Sequence, residues 1–287
     1  MNFVRGEELL ALCREENKSI SDIMRMREEN YLEQPAAESE ERMRRAWRIM
    51  QQAARQSLET DVRSMGGFIG GEARKLSARR AATAPACGVV VSKAITYACG
   101  VLEVNSAMGL IVAAPTAGAS GVLPGVLLAL SEEWGFLEDA MISALFNAGA
   151  VGYLFTRNAT VAGAEGGCQA EVGVASAMAA SAAAELLGGS AEACLNAAAI
   201  AITNILGLVC DPAGGLVENP CQQRNAMGAA NALVAAELSL AGISNAAPFD
   251  EAVTMMYNVG RTLPPSLRET AMGGLAACPS VCSRCKQ

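Results

Sequence analysis

Four stretches of this 287-residue chain carry no charged side chain: 104–131, 140–156, 172–184 and 193–210. Such stretches must be buried, either against other protein segments or in lipid. Composition chooses between these outcomes. The stretches are rich in Ala, Gly, Ser, Thr and Asn rather than Leu, Ile and Phe, and the first contains Pro115 and Pro124. Some pass as membrane spans on length alone, since a spanning helix needs about 20 predominantly apolar residues. No Lys/Arg asymmetry between loops orients a bundle, however. Buried helices of a water-soluble domain explain them better. The chain holds 55 Ala and 28 Gly against 4% aromatic residues. Its core is therefore packed from small side chains with backbones close together. The Ala-rich stretches 176–187 and 191–201 are strong helix formers. β-branched strand patterns are scarce, with 88–91 the main exception. The expectation is an all-α fold: a single Ala/Gly-rich helical domain over 1–287 with Cys-bearing loops.

Charge divides the chain. Residues 1–80 carry 29 of its 51 charged side chains, 15 basic and 14 acidic. This part reads as amphipathic helices. Ser19 or Ser21 is placed to cap one starting near Asp22. A longer helix is expected from about 37 to 65, because Met43, Trp47, Met50, Ala54, Leu58, Val62 and Met65 recur every three or four residues. The run GGFIGG at 66–71 then either approaches an anion or forms a helix junction. From 81 onward a small-residue core and a Cys-bearing tail are expected. The net charge of −7 argues against nucleic acid as a partner, since phosphate contact needs clustered Lys and Arg. The N-terminus MNFVRGEELLALCREEN has no apolar core of a secretory signal, so a cytoplasmic location is expected.

The chain has no histidine. Ser-His-Asp and Cys-His catalysis within it are excluded, as are zinc sites that need histidine. Proton transfer would fall to a carboxylate, a lysine, a thiolate, a metal-bound species or a group from a partner chain. The ten cysteines point the other way. Without export they are expected to be reduced, some as metal ligands and others as buried thiols in Ala-rich helices.

Four segments carry chemistry. GGCQAE at 166–171 and CDPAGGLVENPC at 210–221 each set cysteine in a Gly- or Pro-rich stretch, where the backbone can turn a thiolate toward a metal. Spacing alone leaves open whether Cys168, Cys210 and Cys221 form one ligand set or are unrelated thiols. The tail CPSVCSRCKQ at 278–287 has the C-x3-C-x2-C spacing of radical SAM enzymes, but that signature opens a barrel and here the chain ends. A tail cysteine reaching into a site elsewhere is the better reading. PTAGASGVLPG at 115–125 either presents N–H and O–H donors to a carboxylate or is a broken helix in the core.

Together, NSAMGLIVAAPTAGASGVLPGVLLAL, GGCQAEVGVASAMAA, GLVCDPAGGLVENPCQQRNAMGA and LRETAMGGLAA closely resemble the iron–sulfur-dependent L-serine dehydratases. The resemblance is to their α chain, or to the C-terminal catalytic domain of single-chain forms. It covers nearly the whole chain and is strongest from about 100 to 277. It implies a [4Fe–4S] cluster held by Cys168, Cys210 and Cys221, with one iron free of protein thiolate. That iron would act as a Lewis acid on the substrate hydroxyl, giving pyruvate and ammonia from L-serine. The family's proposed histidine base lies in the β part, so a chain without histidine implies a β subunit as partner. Single-chain members also place a C-terminal cysteine on the open iron, which makes Cys285 or Cys282 the displaceable fourth ligand here. Cys278 stands where a non-cysteine is expected.

Thr116, Gly118 and Ser120 are candidate substrate contacts. Arg224 and Asn225 either orient substrate or satisfy helix-end carbonyls. Lys75 is an anion contact or a solvated lysine. Glu171 and Asp211 are acceptors near the cluster or structural caps. Two other readings compete. A pyridoxal-phosphate enzyme would need one of Lys18, Lys75, Lys93 or Lys286 as its Schiff base. A noncatalytic metal-binding or redox-sensing thiol scaffold would bind metal without responding to L-serine.

Overall fold

The computed structural model describes residues 2–284. Thirteen α-helices are described: α1 Gly6–Glu16, α2 Ile20–Asn30, α3 Ala36–Glu59, α4 Glu72–Ala82, α5 Gly88–Ser106, α6 Val122–Trp134, α7 Glu138–Asn158, α8 Gly163–Gly166, α9 Val174–Leu186, α10 Ala191–Asn204, α11 Cys221–Leu240, α12 Phe249–Thr262 and α13 Pro279–Arg284. Among the described residues no strand forms, and Cys210 and Arg268 make one isolated parallel bridge. The fold is all-α, and the charge-free stretches become α6, α7, α9 and α10 with their connecting loops. Among the described residues no helix is long and apolar enough to cross a membrane.

Helix α9 is the axis of the molecule. Every residue from Val174 to Ala184 is buried, and the helix packs against α6, α7, α10 and α11. A helix covered on all sides has no polar face to offer, which is why its sequence is Ala on every side. The few polar groups within this core bridge neighbouring helices. Ser176 Oγ donates to the Gly228 carbonyl at 2.8 Å, and Asn231 Nδ2 donates to Ser176 Oγ and to the Ala201 carbonyl, each at 2.9 Å.

Small residues set the helix spacing. A Cβ added at Gly125 would stand 2.6 Å from the Ala94 carbonyl oxygen, and one at Gly100 would stand 2.8 Å from the Ala54 carbonyl oxygen. Helix α5 is thereby drawn against α6 on one side and α3 on the other.

The N-terminal part wraps this core. Ser19 caps α2 in a reciprocal capping box with Asp22, so the helix starts at Ile20. In α3, Trp47, Met50 and Ala54 are buried, while Arg44 pairs across to Glu138 and Asp139. Two expectations need correction. Helix α3 stops at Glu59, leaving Val62 buried in a loop and Met65 exposed. The β-branched run at 88–91 is the first turn of α5, where helix packing overrides strand propensity. Pro124 does not break α6, because it sits in the first turn, where no intrahelical N–H bond is lost.

Candidate metal centre

The three predicted cysteines lie at two helix starts and in one loop. Cys168 follows α8 and Gly167, whose φ of 76° lies in the left-handed region. A Cβ at Gly167 would also stand 2.7 Å from the Leu208 carbonyl oxygen, so the turn requires glycine on both counts. After Cys168 the chain runs through a π-turn, 169–173, of the kind that recurs at functional sites. Gln169 clamps this turn in place. Its Nε2 donates to the Met256 carbonyl and its Oε1 accepts the Gly207 N–H, each at 2.9 Å. Cys210 lies in the loop after α10, bonded to a C-terminal strap: its N–H donates to the Leu267 carbonyl at 2.8 Å, and its carbonyl accepts the Glu269 N–H at 2.7 Å. Cys221 is the first residue of α11, following a cis Asn219–Pro220 bond. Helix N–H groups there favour a thiolate.

All three thiols are free and buried. Burial pushes Cys168 up to about 11 and Cys221 up to about 12, and it pushes Cys210 up as well. The three also act on one another. Cys168 and Cys221 add to the rise at Cys210, and Cys168 adds to that at Cys221. They therefore share one electrostatic environment. The positive charge of Arg224 opposes the rise at Cys168 and Cys221. Burial alone would lower the Arg224 pKa, but the charges on Cys168 and Asp211 outweigh it and raise the value. Arg224 Nη1 donates to the Val209 carbonyl at 2.8 Å, and Nη2 stands 2.7 Å from Asp211 Oδ1 as an ion pair.

Carboxylates complete the setting. Glu171 Oε1 accepts the Thr116 hydroxyl at 2.8 Å, and Oε2 lies 3.9 Å from Cys210 Sγ. Burial raises the Glu171 pKa, against the Thr116 bond, which lowers it. Glu269, at a left-handed φ of 62°, brings a second carboxylate to the same place. Ligand atoms of Glu171, Cys210 and Glu269 all lie within 4.8 Å of one another. Gly163 permits this, because a Cβ there would meet both the Glu171 carboxylate and, at 3.2 Å, Cys210 Sγ.

Of the predicted substrate contacts, Thr116 faces the site through Glu171, and Gly118 lies beside the same carboxylate. Ser120 is buried, and its hydroxyl donates to the Ala117 carbonyl at 2.7 Å. Asn225 is also buried and its amide is spent on backbone. Its Nδ2 donates to the carbonyls of Gly118 and Cys221, and its Oδ1 accepts the Gly121 N–H at 3.0 Å. It ties the 115–121 loop to the start of α11. Lys75 is exposed and pairs with Glu72.

The glycine run after α3 does meet an anion, but one of this chain. Buried Glu218 accepts the Gly66 N–H at 2.6 Å, the Phe68 N–H at 2.9 Å and the Ser64 hydroxyl at 2.5 Å. The loop bearing Cys221 is thus anchored 150 residues back in the chain. Cys282 is exposed with its Sγ directed to the Ala276 carbonyl at 3.3 Å, and Cys278 donates to the Gly274 carbonyl. Cys285 lies outside the described residues. Sequence reasoning passed over Gln169, Glu218 and Glu269, although all three stand inside the motif strings that carry the resemblance. An apolar groove of about 360 Å³ lined by Val90, Leu130, Trp134 and Leu233 includes none of the site residues, so a search by cavity alone would lead away from the chemistry.

The donor set suits an inorganic cluster. Three buried thiols free of disulfide bonds stand near a carboxylate, and a bound metal would supply the positive charge that replaces their protons. Among the described residues, the ligand atoms that meet within 4.8 Å of one another belong to Glu171, Cys210 and Glu269.

The family described as "Serine dehydratase alpha chain" matches residues 15–276. The chain belongs to that family. It is 45% identical over 278 residues to the probable L-serine dehydratase, alpha chain, of Bacillus subtilis (strain 168), covering 97% of this chain and 92% of that protein. It is 51% identical over 189 residues to the L-serine dehydratase, alpha chain, of Peptoniphilus asaccharolyticus, covering 66% and 65% of the two chains. The L-serine dehydratase of Streptomyces coelicolor is 39% identical over 96% of this chain, but the match takes up only 60% of that longer protein.

Proposed function

We propose that this chain is the α subunit of an L-serine dehydratase and holds a [4Fe–4S] cluster on Cys168, Cys210 and Cys221. The observation that carries the reading is that Cys168, Cys210 and Cys221 are free, buried and close enough to act on one another, within a chain whose relatives bear that name. When bound, a cluster with one iron free of protein thiolate supplies a Lewis acid for the departing hydroxyl.

The chain's own residues do the rest. Arg224 balances sulfur charge and fixes the Cys210 loop through Val209 and Asp211. Thr116 holds Glu171 with one oxygen engaged, so that its other oxygen faces Cys210. Asn225 fixes the 115–121 loop through the Gly118 carbonyl and the Gly121 N–H. Following the family resemblance, the base that takes the Cα proton is assigned to a histidine of a β subunit, a residue type that this chain lacks. The single-chain relative's extra length is the natural source of such a part. A tail cysteine, Cys285 or Cys282, serves as the displaceable fourth ligand.

The test is anaerobic reconstitution with iron and sulfide, followed by a pyruvate assay with and without the β chain. Replacing Cys168, Cys210 or Cys221 with Ser is expected to abolish iron retention, and replacing Cys278 is expected to leave it intact. Robust serine turnover by the isolated chain would refute the need for a partner. Retention of a full cluster by any of the three variants would refute the ligand set.

A further inference from the structure

Asp211 sits beside Cys210, is buried, and has its two carboxylate oxygens committed in different directions. Oδ1 pairs with Arg224 at 2.7 Å, and Arg224 Nη1 in turn donates to the carbonyl of Val209, the residue before Cys210, at 2.8 Å. Oδ2 accepts the Leu275 N–H at 2.7 Å. Leu275 belongs to the strap that returns past the site. This strap is bonded to Cys210 at Leu267 and Glu269, buries Ala276, and lays its end, α13, against the turn at 213–215. Gly274 completes the fit. Its φ is 60°, and a Cβ there would collide with the Asp211 carboxylate.

We propose that Asp211 is a positioning residue that couples docking of the 267–284 strap to occupancy of the cysteine site, through Arg224 on one side and Leu275 on the other. The inference rests on the proposed metal centre. Without Asp211, Arg224 loses the anion that holds it near the sulfurs and the strap loses its innermost anchor. Coupling of this kind is reciprocal: whatever the docked strap adds to cluster retention, the cluster adds to strap docking.

The experiment is hydrogen exchange over residues 270–281, read with and without reconstituted cluster, alongside iron lost per hour in air. In the wild type the strap is expected to exchange about tenfold more slowly with cluster than without, the scale of one hydrogen bond to a charged group. D211A, and G274A, which alters neither a cysteine nor Arg224, are expected to exchange equally fast in both states and to lose iron faster. Equal strap exchange in loaded and empty wild type would overturn the proposal. So would a G274A chain with a loosened strap and wild-type iron retention. If G274A or D211A fails to fold, the wild-type comparison still decides. A wild type that takes up no iron and sulfide refutes the metal-centre reading itself, and the coupling with it; the iron count separates that failure from the others.

Discussion

Replacing Gly125 with Ala tests whether close helix approach, rather than helix propensity, governs this fold. Two effects oppose each other. Ala in place of Gly inside a helix gains about 0.8–1.0 kcal/mol. The new Cβ would stand 2.6 Å from the Ala94 carbonyl oxygen and 3.1 Å from Ala98 Cβ. The first is a backbone atom of α5 and the second a methyl fixed directly to that backbone, so neither is the end of a flexible side chain. Restoring ordinary contact at 3.4 Å requires the two helices to part by roughly 0.8 Å along a fully buried seam. Overpacking of this kind costs about 1–3 kcal/mol, and at this seam we take the upper half of that range. The net is a loss of about 1–2 kcal/mol, or roughly 2–8 °C in Tm for a chain of this size. Gly149 is the control. It lies in the middle of α7 with nothing within 4 Å of an added Cβ, so G149A keeps the propensity gain and is expected to raise Tm by roughly 2–4 °C. Thermal unfolding of both variants reads the difference. If G125A is as stabilising as G149A, the small-residue packing argument is wrong.

Other outcomes follow from buried carboxylates. Burial raises the pKa of Glu103, whose Oε2 accepts no hydrogen bond. A raised folded pKa means that the folded state binds more protons than the unfolded one. Stability is therefore expected to fall as pH rises from the ordinary carboxylate range through the raised value, and E103Q is expected to flatten that slope. Urea unfolding across pH would show this, and an unchanged slope in E103Q would refute it. Replacing Glu218 with Ala removes the shared acceptor for Gly66, Phe68 and Ser64 and is expected to cost about 2–4 kcal/mol in denaturant unfolding, with E218Q closer to wild type. An E218A chain as stable as wild type would show that the glycine turn holds without its anion.

Those features of the fold that local composition controls were legible. Uncharged Ala-rich stretches can only be buried helices, and α9 and α10 stand close to where they were expected. What was not legible depended on distant partners. Helix α3 ends at Glu59 because the following residues wrap Glu218, and no periodicity near residue 60 records an acceptor so far along the chain. Thr116 and Ser120 look alike in sequence, yet one hydroxyl meets Glu171 and the other turns back to Ala117. Asn225 reads as a polar group beside a cysteine, but its amide is wholly used in joining two loops. The proposed cysteine set rests on long motif strings and not on spacing, since positions 168, 210 and 221 share no period that a helix or a zinc knuckle would impose.

The most direct measurement is Mössbauer spectroscopy of the ⁵⁷Fe-reconstituted chain with its β partner, recorded before and after L-serine under anaerobic conditions. The account predicts a cubane in which a single iron changes its spectrum on addition of L-serine while the others stay as they were. A preparation that deaminates L-serine with no cluster bound, or with every iron unaltered by the substrate, would contradict it.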